Sequence, residues 1–191
     1  MQIEPNPTLS DVLLLKPRVF RDDRGWFAEI WKQDRYTEAG IPQPFVQDNV
    51  SQSSRGVLRG LHMQLDPYAQ GKLVTVLRGA VFDVAVDVRV GSPTFGAWVG
   101  HTLTEDDLNQ VWVPPGFAHG FQALQDHTVV QYKCTAPYHK DSELGILWSD
   151  PTIGILWPLP EPPLLSRKDA EAPTLDMLQD RLPRWQQGGP S

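Results

Sequence analysis

Apolar and polar residues alternate with a period of two along VFDVAVDVRV (81–90), where Phe82, Val84, Val86, Val88 and Val90 interleave with Asp83, Ala85, Asp87 and Arg89. A strand sends successive side chains to opposite faces, so this stretch is the clearest strand in the chain. Shorter runs rich in Val, Ile, Phe and Trp predict further strands at WFAEIW (26–31), QDNVSQS (47–53), KLVTVLRG (72–79) and GAWVGHTL (96–103). The same pattern continues at QVWVP (110–114), HGFQAL (119–124) and TVVQYKCTA (128–136). Two stretches have helical character. WKQDRYTEAG (31–40) is closed by Gly40 and Pro42, and TLDMLQDRL (174–182) follows a Pro-Thr start.

Eighteen prolines and fifteen glycines divide the chain into short pieces. Many short strands, frequent turns and few helices predict a mainly β fold, a jelly-roll β-barrel of the cupin type with a few short peripheral helices. Residues 150–173, DPTIGILWPLPEPPLLSRKDAEAP, hold too many prolines for regular structure and are expected to wrap around the body. Residues 1–176 are read as one domain, and 177–191 as a C-terminal tail whose end, RWQQGGPS, is expected to be partly disordered.

At 191 residues such a chain can bury a substantial core without a metal or disulfide to staple it. The net charge is -6, and the 17 Lys and Arg residues are scattered rather than clustered, which argues against a nucleic-acid binder. No apolar run approaches the ~20 residues of a membrane helix, and the N-terminus lacks the pattern of a signal peptide. The lone Cys134 reads as a small buried apolar residue. Together these features place a protein of small-molecule chemistry in the cytoplasm.

Two histidines then change the picture. His62 ends the glycine-punctuated run GVLRGLH, and His119 follows the turn PPGFAHGF. Metal-binding cupins place ligands in this frame, as His-x-His with a nearby Glu and then Pro-x-Gly-x-x-His. Here Gln64 replaces the second histidine, no Glu follows, and the neighbouring charge is Lys72. Two imidazoles beside a fixed ammonium make a poor site for a divalent cation, so no metal is expected.

Ordinary buried core histidines are the bland alternative. Against it, Arg59, His62, Lys72, His119 and Tyr132 all fall in or beside segments otherwise built of Val, Leu and Phe. Alternation puts Tyr132 on the face of Val130 and Cys134, and Lys72 on that of Val74; a straight strand would put Arg59 and His62 on opposite faces, unless Gly60 supplies a bulge. Polar groups concentrated inside a barrel cost several kcal/mol unless paired, so they predict a polar pocket. A histidine can take a proton at neutral pH, a lysine can stabilise an oxyanion, and a tyrosine can return a proton from the other side. Those are the parts needed to invert a carbon next to a ketone, with no redox cofactor and no metal. Nothing in AQGKLV argues for a desolvated amine, so a Schiff base on Lys72 is not expected.

Eight segments in order carry a resemblance: DDRGWFAEIW, FVQDNVSQSSRGVLRGLHMQ, QGKLV, GAVFDVAVDVRVGSPTFGAW, WVPPGFAHGF, QYKCTAPY, WSDPTIGILWP and LSRKD. The chain resembles the dTDP-4-dehydrorhamnose 3,5-epimerases over about residues 17–175. The resemblance implies inversion at C3 and C5 of a dTDP-4-keto-6-deoxy sugar. It implies His62 as the general base, oriented by Asp169, with Lys72 stabilising the C4 enolate and Tyr132 as the opposed acid. It implies substrate contacts from Arg24, Glu29, Gln47, Asp48, Asn49, Arg59, His119, Glu143 and Lys168, and stacking of Tyr138 on the thymine. It further implies a homodimer with exchanged N-terminal strands, in which Arg24 and Glu29 serve the neighbouring subunit. Two departures stand out. Thr75 occupies a position that is often basic and is expected to weaken phosphate binding slightly, and Met63 replaces a common aromatic.

Two other readings stay open at this level. An enzyme of the same fold could invert one centre only or move the ketone, because relatives making rarer deoxysugars share most of these motifs. A non-catalytic cupin could bind the nucleotide sugar without turning it over.

Overall fold

The computed structural model describes residues 1–41 and 44–186. Thirteen strands are present: β1 (Gln2–Pro5), β2 (Leu13–Lys16), β3 (Val19–Asp22), β4 (Gly25–Ala28), β5 (Gln47–Ser53), β6 (Leu58–Gln64), β7 (Lys72–Arg78), β8 (Ala80–Asp87), β9 (Trp98–Thr104), β10 (Gln110–Val113), β11 (Phe117–Ala123), β12 (Thr128–Cys134) and β13 (Glu143–Gly145). They form a six-stranded sheet in the order β1-β2-β10-β7-β12-β5, a five-stranded sheet in the order β13-β6-β11-β8-β9, and a separate β3-β4 hairpin. Every strand pair is antiparallel. Two facing sheets with crossover connections make the expected jelly-roll barrel.

Between the sheets lies a core of Val74, Val76, Val81, Ala85, Val99, Leu103, Val111, Val113, Phe117, Phe121 and Val130. The alternation in β8 points the other way from what its chemistry suggests. Val84, Val86 and Val88 face outward and are covered by Ile153, Leu175, Leu178 and Leu182 of the C-terminal segment. The face carrying Asp83 is therefore the interior one. A strand covered on both sides can send its polar set inward when those groups find partners, as Asp83 does.

Two helices are α1 (Gln33–Glu38) and α2 (Arg167–Ala170). Helix α1 is shorter than the expected 31–40 and ends at Gly40, whose φ of +80° closes it. Pro42, the second stop signal, lies outside the described residues. Tyr36 of α1, with Leu15, Ile41, Leu73 and Trp112, seals the outer face of the six-stranded sheet. Thr75 points to this same outer face, where its Oγ1 accepts from Gln110 Nε2 at 2.8 Å and Gln110 also bonds the Tyr36 hydroxyl. The phosphate-binding cost expected of Thr75 therefore has no basis within the chain, because the side chain is buried beneath α1 on the face away from the barrel interior.

The helix expected over 174–182 is only a 3-10 turn, Asp176–Leu178. Asp150 Oδ2 accepts from the Leu175 backbone at 2.7 Å, and Leu175, Leu178 and Leu182 are all buried, so packing on the sheet governs this segment. The stretch read as a tail thus packs onto the body through residue 182, and the Trp185 N–H reaches Val90 O at 3.0 Å. Residues 187–191, the remainder of that tail, lie outside the described residues. Strands β1 to β3 and β13 went unread in the sequence. Among the described residues, no helix is long and apolar enough to cross a membrane.

The segment 150–173 wraps as expected and is held in register: Leu58 N–H donates to Leu164 O at 3.0 Å and Leu164 N–H to Gly56 O at 2.9 Å. It then forms α2, where a loop was expected, because Ser166 caps the turn by accepting from Asp169 N–H.

Gly60 supplies the bulge. Phe121 pairs with Arg59 and His119 with His62, so β6 uses one residue more than β11 between the two pairs. Arg59 and His62 consequently share the inward face. Gly60 has a φ of +128°, and a Cβ there would lie 2.6 Å from Gly120 Cα and 2.9 Å from His119 O. Gly60→Ala is expected to cost about 2 kcal/mol or more, from backbone strain added to a clash with backbone atoms that cannot step aside. Thermal unfolding reads this as a clear fall in Tm; an unchanged Tm would show the bulge to be dispensable.

Candidate active site

A cavity of about 260 Å³ opens between the two sheets, lined by His62, Met63 and Gln64 of β6, Lys72 of β7, Tyr132 of β12 and Gln47 and Asn49 of β5. Gln70, Tyr138 and Glu143 complete it. Seven of the residues singled out in the sequence therefore meet here: His62, Lys72, Tyr132, Gln47, Asn49, Tyr138 and Glu143. The sheets supply different chemistry. One brings the imidazole, the other the amine and the phenol.

His62 is held from behind. Its Nε2 lies 2.5 Å from Asp169 Oδ1, and the Asp169 side chain is only 6% exposed. An ionised carboxylate can only accept, so Nε2 carries the proton and Nδ1 keeps a lone pair. Burial works to raise the Asp169 pKa, but the hydrogen bonds from His62 and Ser166 and the charges of His62 and Lys168 outweigh it, so the carboxyl lies below its ordinary value. Ser166, unremarked in the sequence, donates through Oγ to Asp169 Oδ2 at 2.8 Å and fixes the second carboxylate oxygen.

Lys72 reaches across the barrel from β7, its Nζ 3.4 Å from the His62 backbone carbonyl. Burial pushes its pKa down, opposed by the nearby Cys134, Glu143 and Asp83. A desolvated amine, which nothing in AQGKLV suggested, is thus what the fold makes of Lys72. Burial also raises the Tyr132 pKa, and Arg59 pulls the other way, so this phenol holds its proton well into the alkaline range. Cys134 is fully buried beside Lys72 in the strand register, and burial raises its thiol. It behaves as the small apolar residue expected of it.

A second His-carboxylate pair stands behind the cavity. His119 Nε2 is 2.8 Å from Asp83 Oδ2, both side chains are buried, and His119 sits directly opposite His62 in the strand register. Asp83 was read in the sequence only as part of an alternating strand. A carboxylate at an odd position of an apolar run, in a strand next to that of a lone histidine, was the signal available. Arg59 lies at the rim, where Nε donates to Ser53 Oγ at 3.1 Å and Nη2 to Gln52 O at 3.2 Å.

Lys168 Nζ pairs with Glu143 Oε1 at 2.5 Å, and Glu143 Oε2 accepts from the Tyr138 hydroxyl at 3.0 Å. Helix α2 thereby presents Asp169 to His62 of β6 and Lys168 to Glu143 of β13, the next strand of the same sheet. Burial tends to raise the Glu143 pKa, yet Lys168 and Tyr138 hold it below the ordinary value. Three singled-out residues stay apart. Asp48 turns to the outer face and pairs with Lys133 at 2.7 Å. On and beside the β3-β4 hairpin, Arg24 pairs with Asp22 at 2.6 Å and Glu29 with Arg35 at 2.7 Å, away from this cavity.

Residues 6–177 match the family model described as dTDP-4-dehydrorhamnose 3,5-epimerase. The chain is 53% identical over 171 residues to the dTDP-4-dehydrorhamnose 3,5-epimerase of Escherichia coli K12, covering 89% of this chain and 92% of that one. Its fold matches the crystal structure of the dTDP-6-deoxy-D-glucose-3,5-epimerase of Legionella pneumophila in complex with dTDP-4-keto-L-rhamnose, with a TM-score of 0.93, 48% identity and coverage of 97% and 99%. It also matches a 3'-monoepimerase of Streptomyces bikiniensis in complex with dTDP-quinovose, with a TM-score of 0.88, 35% identity and coverage of 92% and 90%.

Proposed function

We infer that this chain, which belongs to the dTDP-4-dehydrorhamnose 3,5-epimerase family, converts dTDP-4-dehydro-6-deoxy-D-glucose to dTDP-4-dehydro-L-rhamnose by inverting C3 and C5. One observation carries the reading. A carboxylate-held imidazole from one sheet shares a cavity with a buried amine and a proton-holding phenol from the other.

The chemistry follows from that placement. Nδ1 of His62 removes the proton from C5, and the bonding pair moves through C4 to leave negative charge on the carbonyl oxygen. Asp169 stabilises the imidazolium that results. Lys72, its amine enclosed by the barrel, donates a hydrogen bond to the enolate oxygen; in a low-dielectric pocket such a fixed partner is typically worth about 3 kcal/mol. Tyr132 then delivers a proton to C5 from the opposite face; the imidazolium gives up its proton to solvent, the phenolate regains one, and the sequence repeats at C3. The carbonyl at C4 activates both neighbours, so one base and one acid serve both steps. No change of oxidation state occurs, which fits a site built from acid, base and amine.

For recognition of the nucleotide, we read the exposed ring of Tyr138, beside the mouth, as the surface that stacks on the base. Arg59, Gln47, Asn49, His119, Glu143 and Lys168 are read as the remaining contacts. Arg24, Glu29 and Asp48 are read as serving through a homodimer. The β3-β4 hairpin supports that assembly, since it stands apart from both large sheets and exposes Phe20, Trp26 and Phe27, the last at 67%.

Incubation with the 4-keto sugar nucleotide in heavy water tests the function. Deuterium is expected at both C3 and C5 by NMR, with and without a chelator. Label at one carbon only would identify a mono-epimerase. Binding without exchange would identify a non-catalytic nucleotide-sugar protein, and loss of exchange with chelator would overturn the metal-free mechanism.

A further inference from the structure

Gln64 occupies the position where a metal-binding cupin carries its second histidine, and its side chain is committed elsewhere. It is buried at 4% exposure. Its Nε2 donates to Tyr68 O at 2.9 Å and to Pro137 O at 3.1 Å, while its Oε1 accepts from His139 N–H at 2.7 Å. Those last two groups flank Tyr138. The Tyr138 N–H itself donates to Gln47 Oε1 at 2.8 Å. The backbone on both sides of the ring is thus fixed from β6 and β5, and the rings of Tyr68 and His139 stack at 4.1 Å with an interplanar angle of 4° to brace the same loop.

We propose that Gln64 is a positioning residue for nucleotide binding, holding the 137–139 backbone so that Tyr138 is presented over the cavity mouth. The inference rests on the reading of Tyr138 as the ring that stacks on the base. The residue type is dictated by the contacts. A primary amide offers two N–H donors and a carbonyl acceptor in one plane, and here all three functions are used. A neutral imidazole offers one donor and one acceptor, so histidine could not serve both carbonyls and the N–H together. A carboxylate could accept from His139 but would set its second oxygen against the carbonyls of Tyr68 and Pro137. Only the ring torsions of Tyr138 then remain free, and its hydroxyl bond to Glu143 limits those. Holding the ring ready lowers the ordering cost of binding.

The test is calorimetric titration with dTDP of the unaltered protein, Gln64→Glu, Gln64→Met, Tyr138→Ala and the Gln64→Met/Tyr138→Ala double variant. Steady-state kinetics on the sugar nucleotide accompany it. Tyr138→Ala is expected to weaken dTDP about 10-fold, in line with the loss of one aromatic-base stack. Both Gln64 variants should weaken it by a similar factor and raise KM, with kcat changed by less than about 3-fold, since base and acid are untouched. The double variant should lose no more than Tyr138→Ala alone, because the two act through one ring. Unchanged dTDP affinity in Gln64→Glu and Gln64→Met, or losses that multiply in the double variant, would overturn the proposal while leaving the stacking role intact. Unchanged affinity in Tyr138→Ala would instead remove the stacking reading, and the proposal with it.

Discussion

His62→Ala is expected to lower kcat by about 10² to 10⁴, the range for loss of a positioned general base, while dTDP still binds. The size follows from how the imidazole is prepared. Asp169 Oδ1 at 2.5 Å fixes the tautomer, and the carboxylate is held in turn by Ser166 at 2.8 Å, so Nδ1 is both unprotonated and aimed. Other basic groups nearby are poor substitutes. Lys72 Nζ comes from the opposite sheet and lies against the His62 backbone carbonyl at 3.4 Å, and His119 is engaged with Asp83 at 2.8 Å. Removing the ring also takes away the hydrogen bond that it donates to Asp169, so the pKa of that carboxyl should climb back toward the ordinary carboxylate range. The check is turnover of the 4-keto sugar nucleotide beside dTDP affinity by calorimetry. A variant retaining turnover within about ten-fold of the parent would assign the base elsewhere, and one that lost dTDP binding equally would make His62 a binding group.

How much of this was legible in the sequence depended on whether the signal was local. The strand in 81–90 could be read because its period is a property of ten consecutive residues, but which face was interior could not. That choice is settled by Ile153, Leu175, Leu178 and Leu182, which arrive from the far end of the chain to cover the valines. Asp83 was overlooked for the same reason, being interior only because its strand is covered twice. His62, Lys72 and Tyr132 stood out as ionisable groups in apolar strands, and alternation alone placed Lys72 and Tyr132 on the faces they occupy. The shared face of Arg59 and His62 needed a bulge at Gly60, which a glycine permits but does not dictate. Asp169 was out of reach of any local pattern. It lies 107 positions from its partner, on a turn of helix capped by Ser166, three residues beyond Pro163, and only the family resemblance pointed to it. Lys72 shows the limit most plainly, because desolvation belongs to the barrel that encloses a residue and leaves no mark on its neighbours in sequence.

Tyr132→Phe should separate two events that His62→Ala abolishes together. The phenyl ring fills the same space, so stability is expected to stay within about 1 kcal/mol of the parent. His62 remains able to remove the proton, Lys72 to hold the enolate, and the imidazolium, once it has exchanged with heavy water, to return a deuteron to the face from which the proton came. Deuterium from heavy water should therefore still enter the sugar, while inversion falls by about 10² to 10³ for want of an acid on the far side. Burial makes the phenol suited to that duty by holding its proton, and the nearby Arg59 keeps the resulting phenolate from becoming prohibitive. A single NMR time course in heavy water reads both quantities, since label reports deprotonation and coupling constants report configuration. Equal loss of exchange and inversion would make Tyr132 part of the deprotonation machinery, and preserved inversion would place the acid on another group. Label gained with retained configuration is the result that requires an imidazole and a phenol on opposite sides of one ring, and the two facing sheets of the barrel are what put them there.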